Sequence, residues 1–563
     1  MYILKLKYGV FVERFVYKKL QNNFYILSLI LLLITLFNSQ SFAQSITLED
    51  MITYNMQSNF IKEFQIPLEE LGLKGIIVDS QGNAWFYHST NKTSTIMKLE
   101  PKTGKFTSYD IQGDTIVDTP IINLAGGQLV FDNTRNVIWF TDARTNSIGK
   151  LDTQNGKIEL VKIPTAKAGP MGITLSSDGK NIWFTEIITN KIAKLDVDSK
   201  SITEYLTGEE TGPTLLTFDK EGVLWVTQSY SNNVLRVQTG LLGTIIASGM
   251  STFTLPKPDM FSPFGIAVVD YNGMQKIFVS DHSSSRVISS DVSTNLQSYV
   301  SYWTSPSKIY PTTLPSQIVS DKSGNIYFPQ HGGNRISKIS IESGIMTEYD
   351  IPTGPLSTAV FIAASDDGKK IWFTEWASNK VAYLDMNIPV PFNLQVKNNQ
   401  IILDKAGSNT LDVMLEAEQN SPFISLNQSG LAVIGMTESG LKGITYTVQP
   451  QWIDMEKNPV AESQVSLKTE NNARSGQYTI MVRASAPEKD QLLVSKLYPV
   501  SITLNIPEPT AQSQKIFEER QDTGLIENIS FKDVTKFLAV LAAIGLIGFL
   551  IYGRIKRSKK INR

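Results

Sequence analysis

The sequence predicts an all-β chain: a seven-bladed β-propeller over residues 60–387, then an immunoglobulin-like β-sandwich over 390–507, with one C-terminal transmembrane helix at 535–553. Three observations carry this. An aromatic strand motif recurs seven times at intervals of roughly 40–55 residues, the blade range. The repeats stop after Pro389-Val390-Pro391, and a second set of strand-like runs follows at sandwich spacing. A long apolar run then precedes a cationic tail.

The motif is clearest in Ile138-Trp139-Phe140-Thr141-Asp142, Ile182-Trp183-Phe184-Thr185-Glu186 and Ile371-Trp372-Phe373-Thr374-Glu375. Weaker copies centre on Trp85, Trp225, Phe278 and Tyr327. Each copy has the same surroundings, as in the third. A short apolar strand, Gly172-Ile173-Thr174-Leu175, leads into the polar hairpin turn Ser177-Asp178-Gly179-Lys180. After the aromatic strand comes Asn190-Lys191-Ile192-Ala193-Lys194-Leu195, then a fourth strand, Ile202-Thr203-Glu204-Tyr205. Four short antiparallel strands make a blade, and a single blade cannot bury both faces, so the units must stack in a ring. The seventh repeat ends at Asp385 with no fourth strand. Phe60–Pro67 matches the fourth-strand segment Met346–Pro352, so residues 60–66 are expected to supply it and close the ring.

The sandwich is read from runs such as Leu411–Leu415, Gly443–Val448, Gln464–Lys468, Gln477–Arg483 and Val500–Ile506. Residues 508–533 are polar and read as a stalk. The 19 residues Thr535–Gly553 would span roughly 28 Å as a helix, close to the bilayer core. The basic tail, 554–563, belongs on the cytoplasmic side. Residues 1–43, with a basic start, an apolar run and Ser41-Phe42-Ala43, read as a signal peptide, an uncleaved N-terminal anchor being the alternative. Both ends therefore place the propeller and sandwich outside the cell, where Asn91, Asn427 and Asn528 are glycosylation sequons.

Composition narrows the chemistry. The net charge of −1 leaves no basic surplus to neutralise phosphates, so no nucleic acid is expected as a partner. With no cysteine, thiolate zinc sites and cysteine nucleophiles are excluded. Only three histidines are present, His88, His282 and His331.

The last residue of each aromatic strand is expected near one rim of the central channel: His88, Asp142, Glu186, Gln228, Asp281, Gln330 and Glu375. His282 and His331 follow two of these, and Trp376 follows a third. Together these are the candidate ligand-binding residues. The carboxylates and imidazoles make Mg²⁺ or Ca²⁺ candidate cofactors, no cofactor being certain. The alternative is that these polar ends bond the loop backbone of their own blades. Trp85, Trp139, Trp183, Trp225 and Trp372 read as packing between blades, whereas Trp376 reads as exposed.

Gly169-Pro170-Met171-Gly172-Ile173, followed by Ile182-Trp183-Phe184-Thr185-Glu186 and Asn190-Lys191-Ile192, resembles the repeat of the streptogramin (virginiamycin B) lyase family. The resemblance covers about residues 60–386. It implies a seven-bladed propeller and an elimination that opens a cyclic depsipeptide, using a histidine base and Mg²⁺ held by glutamates. The family's Glu-Pro-His-Gly segment matches Leu356-Ser357-Thr358-Ala359, so Thr358 stands at the base and Leu356 at a metal-binding glutamate. Ser316 stands at a substrate-binding histidine, and Glu375 is the candidate for the second metal glutamate. A threonine is no base at neutral pH without an activating partner. The expectation is therefore a surface binding or scaffold module for an extracellular protein or small-molecule ligand, held to the membrane by its C-terminal helix. A rearranged metal-dependent lyase or lactonase is the alternative.

Overall fold

The computed structural model describes residues 58–505 except 91, 116–125, 240–244, 256–261, 295, 297, 308–309, 355–356, 405, 419–430, 438–442, 456, 471 and 488–492. The signal-peptide, stalk, transmembrane and tail expectations lie outside these residues, as do Leu356, Asn91, Asn427 and Asn528. Among the described residues no helix is long and apolar enough to cross a membrane.

Seven four-strand antiparallel units fill residues 61–385. Blade 3 shows how the sequence builds one. Its strands are Pro170–Leu175, Asn181–Glu186, Lys191–Asp196 and Ile202–Leu206, innermost first. Ser176 and Asp178 close the first turn through a 2.6 Å hydroxyl–carboxylate bond, with Gly179 at a φ of 69°. In the second turn Asn190 has a φ of 57°, a left-handed conformation that Asn tolerates better than most side chains. Asn146, Asn232, Asn334 and Asn379 occupy the same place with φ between 51° and 57°. This is why asparagine recurs there in the repeat.

The recurring Thr of the aromatic strand has an equally specific cause. Thr185 Oγ1 accepts the N–H of Gly172 in its own blade (2.8 Å) and donates to the carbonyl of Thr214 in the next (2.7 Å). Thr141 donates likewise to Met171 O, Thr227 to Phe264 O and Ser280 to Ser316 O. Thr374 donates to Lys74 O at 2.8 Å and so joins blade 7 to blade 1. The bonds sit at bulges in the inner strands, where register shifts between Pro170 and Ile173 and at matching places in other blades. Gly172 is required for the same approach, since a Cβ there would meet the carbonyl of Thr214 at 2.6 Å.

Between blades the core is aromatic. Trp139 packs with Phe184 and Ala193, and Trp183 with Leu224 and Val226, all buried. Successive inner strands touch around the ring, and the blade 7 strand Ala359–Ala364 touches the blade 1 strand Leu73–Val78. The strand Ile61–Gln65 pairs antiparallel with Lys380–Asp385, Ile61 opposite Leu384, and completes blade 7.

Beyond the propeller, strands of residues 392–505 form two further groups. One is a four-stranded sheet containing Phe392–Lys397, Ser408–Ala417, Val460–Thr469 and Ile444–Gln449. The alternation in Val460–Thr469 buries Val465 and Leu467 and leaves their neighbours in solvent. The other group is not separate from the propeller. Its long strand Leu493–Asn505 pairs with Met346–Asp350, the outer strand of blade 6, so one sheet runs through both. The boundary placed at 387–390 is thus crossed by a sheet and by a core in which Met481 and Leu497 join Phe328, Ile339 and Met346.

Candidate functional site

In each blade the inner strand starts, and the aromatic strand ends, at the same face. The seven strand-end residues do lie around that face, but they do not line an open mouth. Asp142, Glu186, Gln228, Asp281, Gln330 and Glu375 have 0% exposure and His88 has 4%. Burial has a local cause: several of these ends fold back onto their own turn. Asp142 Oδ1 accepts the N–H of Arg144 and Oδ2 the hydroxyl of Thr145 (2.9 Å). Asp281 accepts the N–H and hydroxyl of Ser283. Glu186 and Glu375 accept Thr189 and Ser378 hydroxyls, each at 2.7 Å. Gln330 reaches sideways to Ser337 and Glu348. His88 Nε2 sits 2.8 Å from the carbonyl of Glu70, and burial lowers its pKa.

Burial also decides protonation. It pushes the Glu186 carboxyl up to about 7. It pushes Glu375 up to about 8, with the nearby Glu63 charge adding to the effect. At pH 7 Glu375 is therefore largely neutral and Glu186 about half ionised. Among the described residues no group of three or more His, Asp or Glu side chains is placed to hold a metal ion. The residues present therefore do not fit the Mg²⁺ or Ca²⁺ expectation.

Register fixes where each inner strand starts. Pro170 pairs with Glu186, Pro213 with Gln228, Pro263 with Asp281, and Pro315 bridges Gln330. In blade 7 the residue opposite Glu375 is Ala359. The counterpart of Ser316 is therefore Val360, two places beyond Thr358. The hydrogen bonds agree, because Val360 O accepts Ser316 Oγ at 2.8 Å as Thr214 O accepts Thr185. Sequence alone aligned Thr358 because Ala359 replaces the proline that marks the strand start elsewhere. Thr358 instead has a φ of 58° and its carbonyl accepts the N–H of Trp376. Ser316 is fully buried, and it supplies the hydroxyl that Pro329 cannot supply at the Thr position of blade 6.

The two histidines that follow strand ends are brought together. The rings of His282 and His331 lie 5.4 Å apart, and Phe264 packs against His282 at 5.0 Å with the rings tilted by 31°. His282 Nδ1 is 3.2 Å from Pro315 O, while His331 Nδ1 has no hydrogen-bond partner. Burial lowers the pKa of both. The neighbouring His282 adds to it at His331, which falls to about 3, so both rings are neutral at pH 7. Trp376 follows the strand end of blade 7 and is 40% exposed; Tyr230, in the corresponding turn of blade 4, is also exposed.

Sequence reasoning missed a pair of glutamines that bridges the ring. Gln317 Nε2 donates to Gln128 Oε1 at 3.3 Å, joining blade 6 to blade 2 across the ring. Gln317 Oε1 accepts the N–H of Ile362 (3.0 Å). Both follow the inner-strand starts, and glycine takes that place in blades 1, 3 and 5 (Gly75, Gly172 and Gly265). Glutamine where the repeat has glycine was the available signal.

An all-β ring of four-stranded units with this face is a β-propeller. Residues 57–275 match the model of the Virginiamycin B lyase family, so the resemblance drawn from the repeats holds for that segment. Among solved structures, one described as a streptogramin B lyase is 24% identical and covers 58% of this chain and 97% of its own, with a TM-score of 0.47. The virginiamycin B lyase from Staphylococcus aureus is 23% identical, covering 58% and 98%, at a TM-score of 0.47. The hydrazine synthase of Kuenenia stuttgartiensis is 13% identical, covering 57% and 97%, at 0.45. No curated protein matches the chain.

Proposed function

We propose that this chain is a binding propeller displayed outside the cell on a C-terminal membrane anchor, with an immunoglobulin-like domain behind it. The ligand, an extracellular protein or small molecule, is held at the face that carries His282, His331 and Trp376. The observation that carries this reading is the half-buried, neutral imidazole pair of His282 and His331, whose rings pack against each other and against Phe264. Such a pair offers flat, uncharged ring surface, which suits recognition of an apolar or aromatic group of a ligand. Anchoring rests on the apolar run and basic tail of the sequence.

Binding is favoured over lyase chemistry by Val360 at the inner-strand position of blade 7 and by the buried, neutral Glu375. The family match keeps the lyase reading worth a direct test. The full-length chain in nanodiscs is screened by thermal shift against cyclic depsipeptides, lactones and purified surface proteins. A ligand of this face raises the Tm of the wild type and not that of His331→Phe. Equal shifts in both proteins remove the face from consideration. A linearised depsipeptide appearing with Mg²⁺ establishes the lyase reading instead.

A further inference from the structure

His331 sits in a tight turn bracketed by Gln330 and Arg335, and both brackets lean on the same outer strand. Gln330 Nε2 donates to Glu348 Oε1 at 2.7 Å, and the same oxygen accepts the N–H of Ser305 at 3.0 Å. Arg335 Nε donates to Asp350 Oδ1 at 2.9 Å, with both side chains buried. Arg335 also donates to the carbonyl of Ser305 (3.0 Å). Glu348 and Asp350 belong to Met346–Asp350, the outer strand of blade 6.

In the other six blades the outer strand ends its sheet. In blade 6 it does not. The C-terminal domain adds Leu493–Asn505 to its free edge, with Glu348 opposite Ser495 and Tyr349 opposite Val494. The N–H of Leu493 donates to Asp350 Oδ2 at 3.2 Å, so one carboxylate joins Arg335 of the histidine turn to the backbone of the added domain. Behind it Met481 and Leu497 pack with Phe328 and Ile339 in one core, which also holds Phe278 and Tyr302 of blade 5. Blades 5 and 6 are the blades that contribute His282 and His331.

A spacer that only held a propeller away from a membrane would gain nothing by choosing this edge. We propose that the C-terminal domain is a positioning element for the His282–His331 pair. It fixes Glu348 and Asp350, and through them the Gln330 and Arg335 ends of the His331 turn. The proposal rests on the reading that this pair is the ligand site.

Three histidines in the whole chain make the test direct. Full-length protein in nanodiscs, labelled at histidine Cε1, gives three imidazole resonances, assigned by single His→Gln substitutions. Asp350→Asn removes the charge that holds Arg335. Leu493→Pro, at the first residue of its strand, removes the N–H that reaches Asp350 together with the leucine side chain. In both variants the His331 resonance is expected to move by more than its linewidth, and more in Asp350→Asn. His282 follows by a smaller amount through ring contact, and His88 of blade 1 stays in place. Asp350→Glu restores part of the His331 shift. If His331 holds its wild-type position in both variants while His88 is native, the domain does not position the pair. If all three signals are lost in both, its role is general stability and the proposal also falls. No ligand enters the measurement, so a face that binds nothing would leave this result standing.

Discussion

Blades 3 and 6 have the same four strands and solve the same two problems with different residues. At the inner rim, blade 3 uses the hydroxyl of Thr185 to reach the next blade. Blade 6 has Pro329 there and takes the hydroxyl from Ser316, in the segment that leads into its inner strand Val319–Ser320, to reach Val360 O. At the outer edge, the Glu204 carboxylate of blade 3 takes Lys191 and Thr165 and faces solvent in part. The outer carboxylates of blade 6 are buried under a further strand and hold Gln330 and Arg335. What the repeat preserves is a hydrogen bond at a place in space, and the residue that supplies it is free to move. Where the supplier has moved, as in blade 6, the blade has also gained a domain and a histidine.

The largest test of that contrast is at the edge. Arg335→Met leaves Asp350 buried and without its guanidinium, at a cost of roughly 3–5 kcal/mol. Lys191→Met, in the half-exposed pair of blade 3, costs about 1 kcal/mol. Urea unfolding of the two variants checks both values, and equal losses would erase the difference between the blades. Next comes pH. The folded Glu186 carboxyl sits near 7 against 4.5 for its ordinary value, so the folded state binds the proton more tightly. Its contribution is complete below about pH 4.5 and is lost as pH rises through 7, a displacement on the order of 3 kcal/mol. Glu375 extends the loss to about 8. Glu186→Gln is therefore expected to flatten the fall in Tm between pH 5 and 8, where blade 6, with Gln330 already in place, has no such group to lose. The smallest effect is at the rim. Ser316→Ala forfeits the bond to Val360 O, about 1 kcal/mol, and Thr185→Val forfeits two bonds, about 2 kcal/mol. Thermal unfolding ranks them, and the reverse order would contradict the shared role.

The ring was legible because its signals are local and repeated. The aromatic strand, the Asp-Gly turn and the left-handed Asn each answer to backbone geometry within a few residues. The match of Phe60–Pro67 to Met346–Pro352 led to the strand that pairs with Lys380–Asp385. The site was less legible for the opposite reason. Polar strand ends such as Asp142 and Glu375 look alike whether they face solvent or fold onto their own turn. The His282–His331 contact joins two blades, and nothing in either segment announces its depth or orientation. The shift from Thr358 to Val360 hinged on a missing proline at Ala359. The pairing of Glu348 with Ser495 depends on a strand almost 150 residues away, beyond the reach of any periodicity.

The Gln317–Gln128 bond has a geometric meaning of its own. A ring of seven similar units is nearly symmetric about its axis, and a symmetric bore offers no preferred direction to whatever enters it. A chord from blade 6 to blade 2 ends that equivalence. It divides the bore into two unequal lobes, blades 7 and 1 on one side and blades 3, 4 and 5 on the other. The seven blade positions around the axis are therefore no longer equivalent, and blades 7 and 1 are set apart from blades 3, 4 and 5.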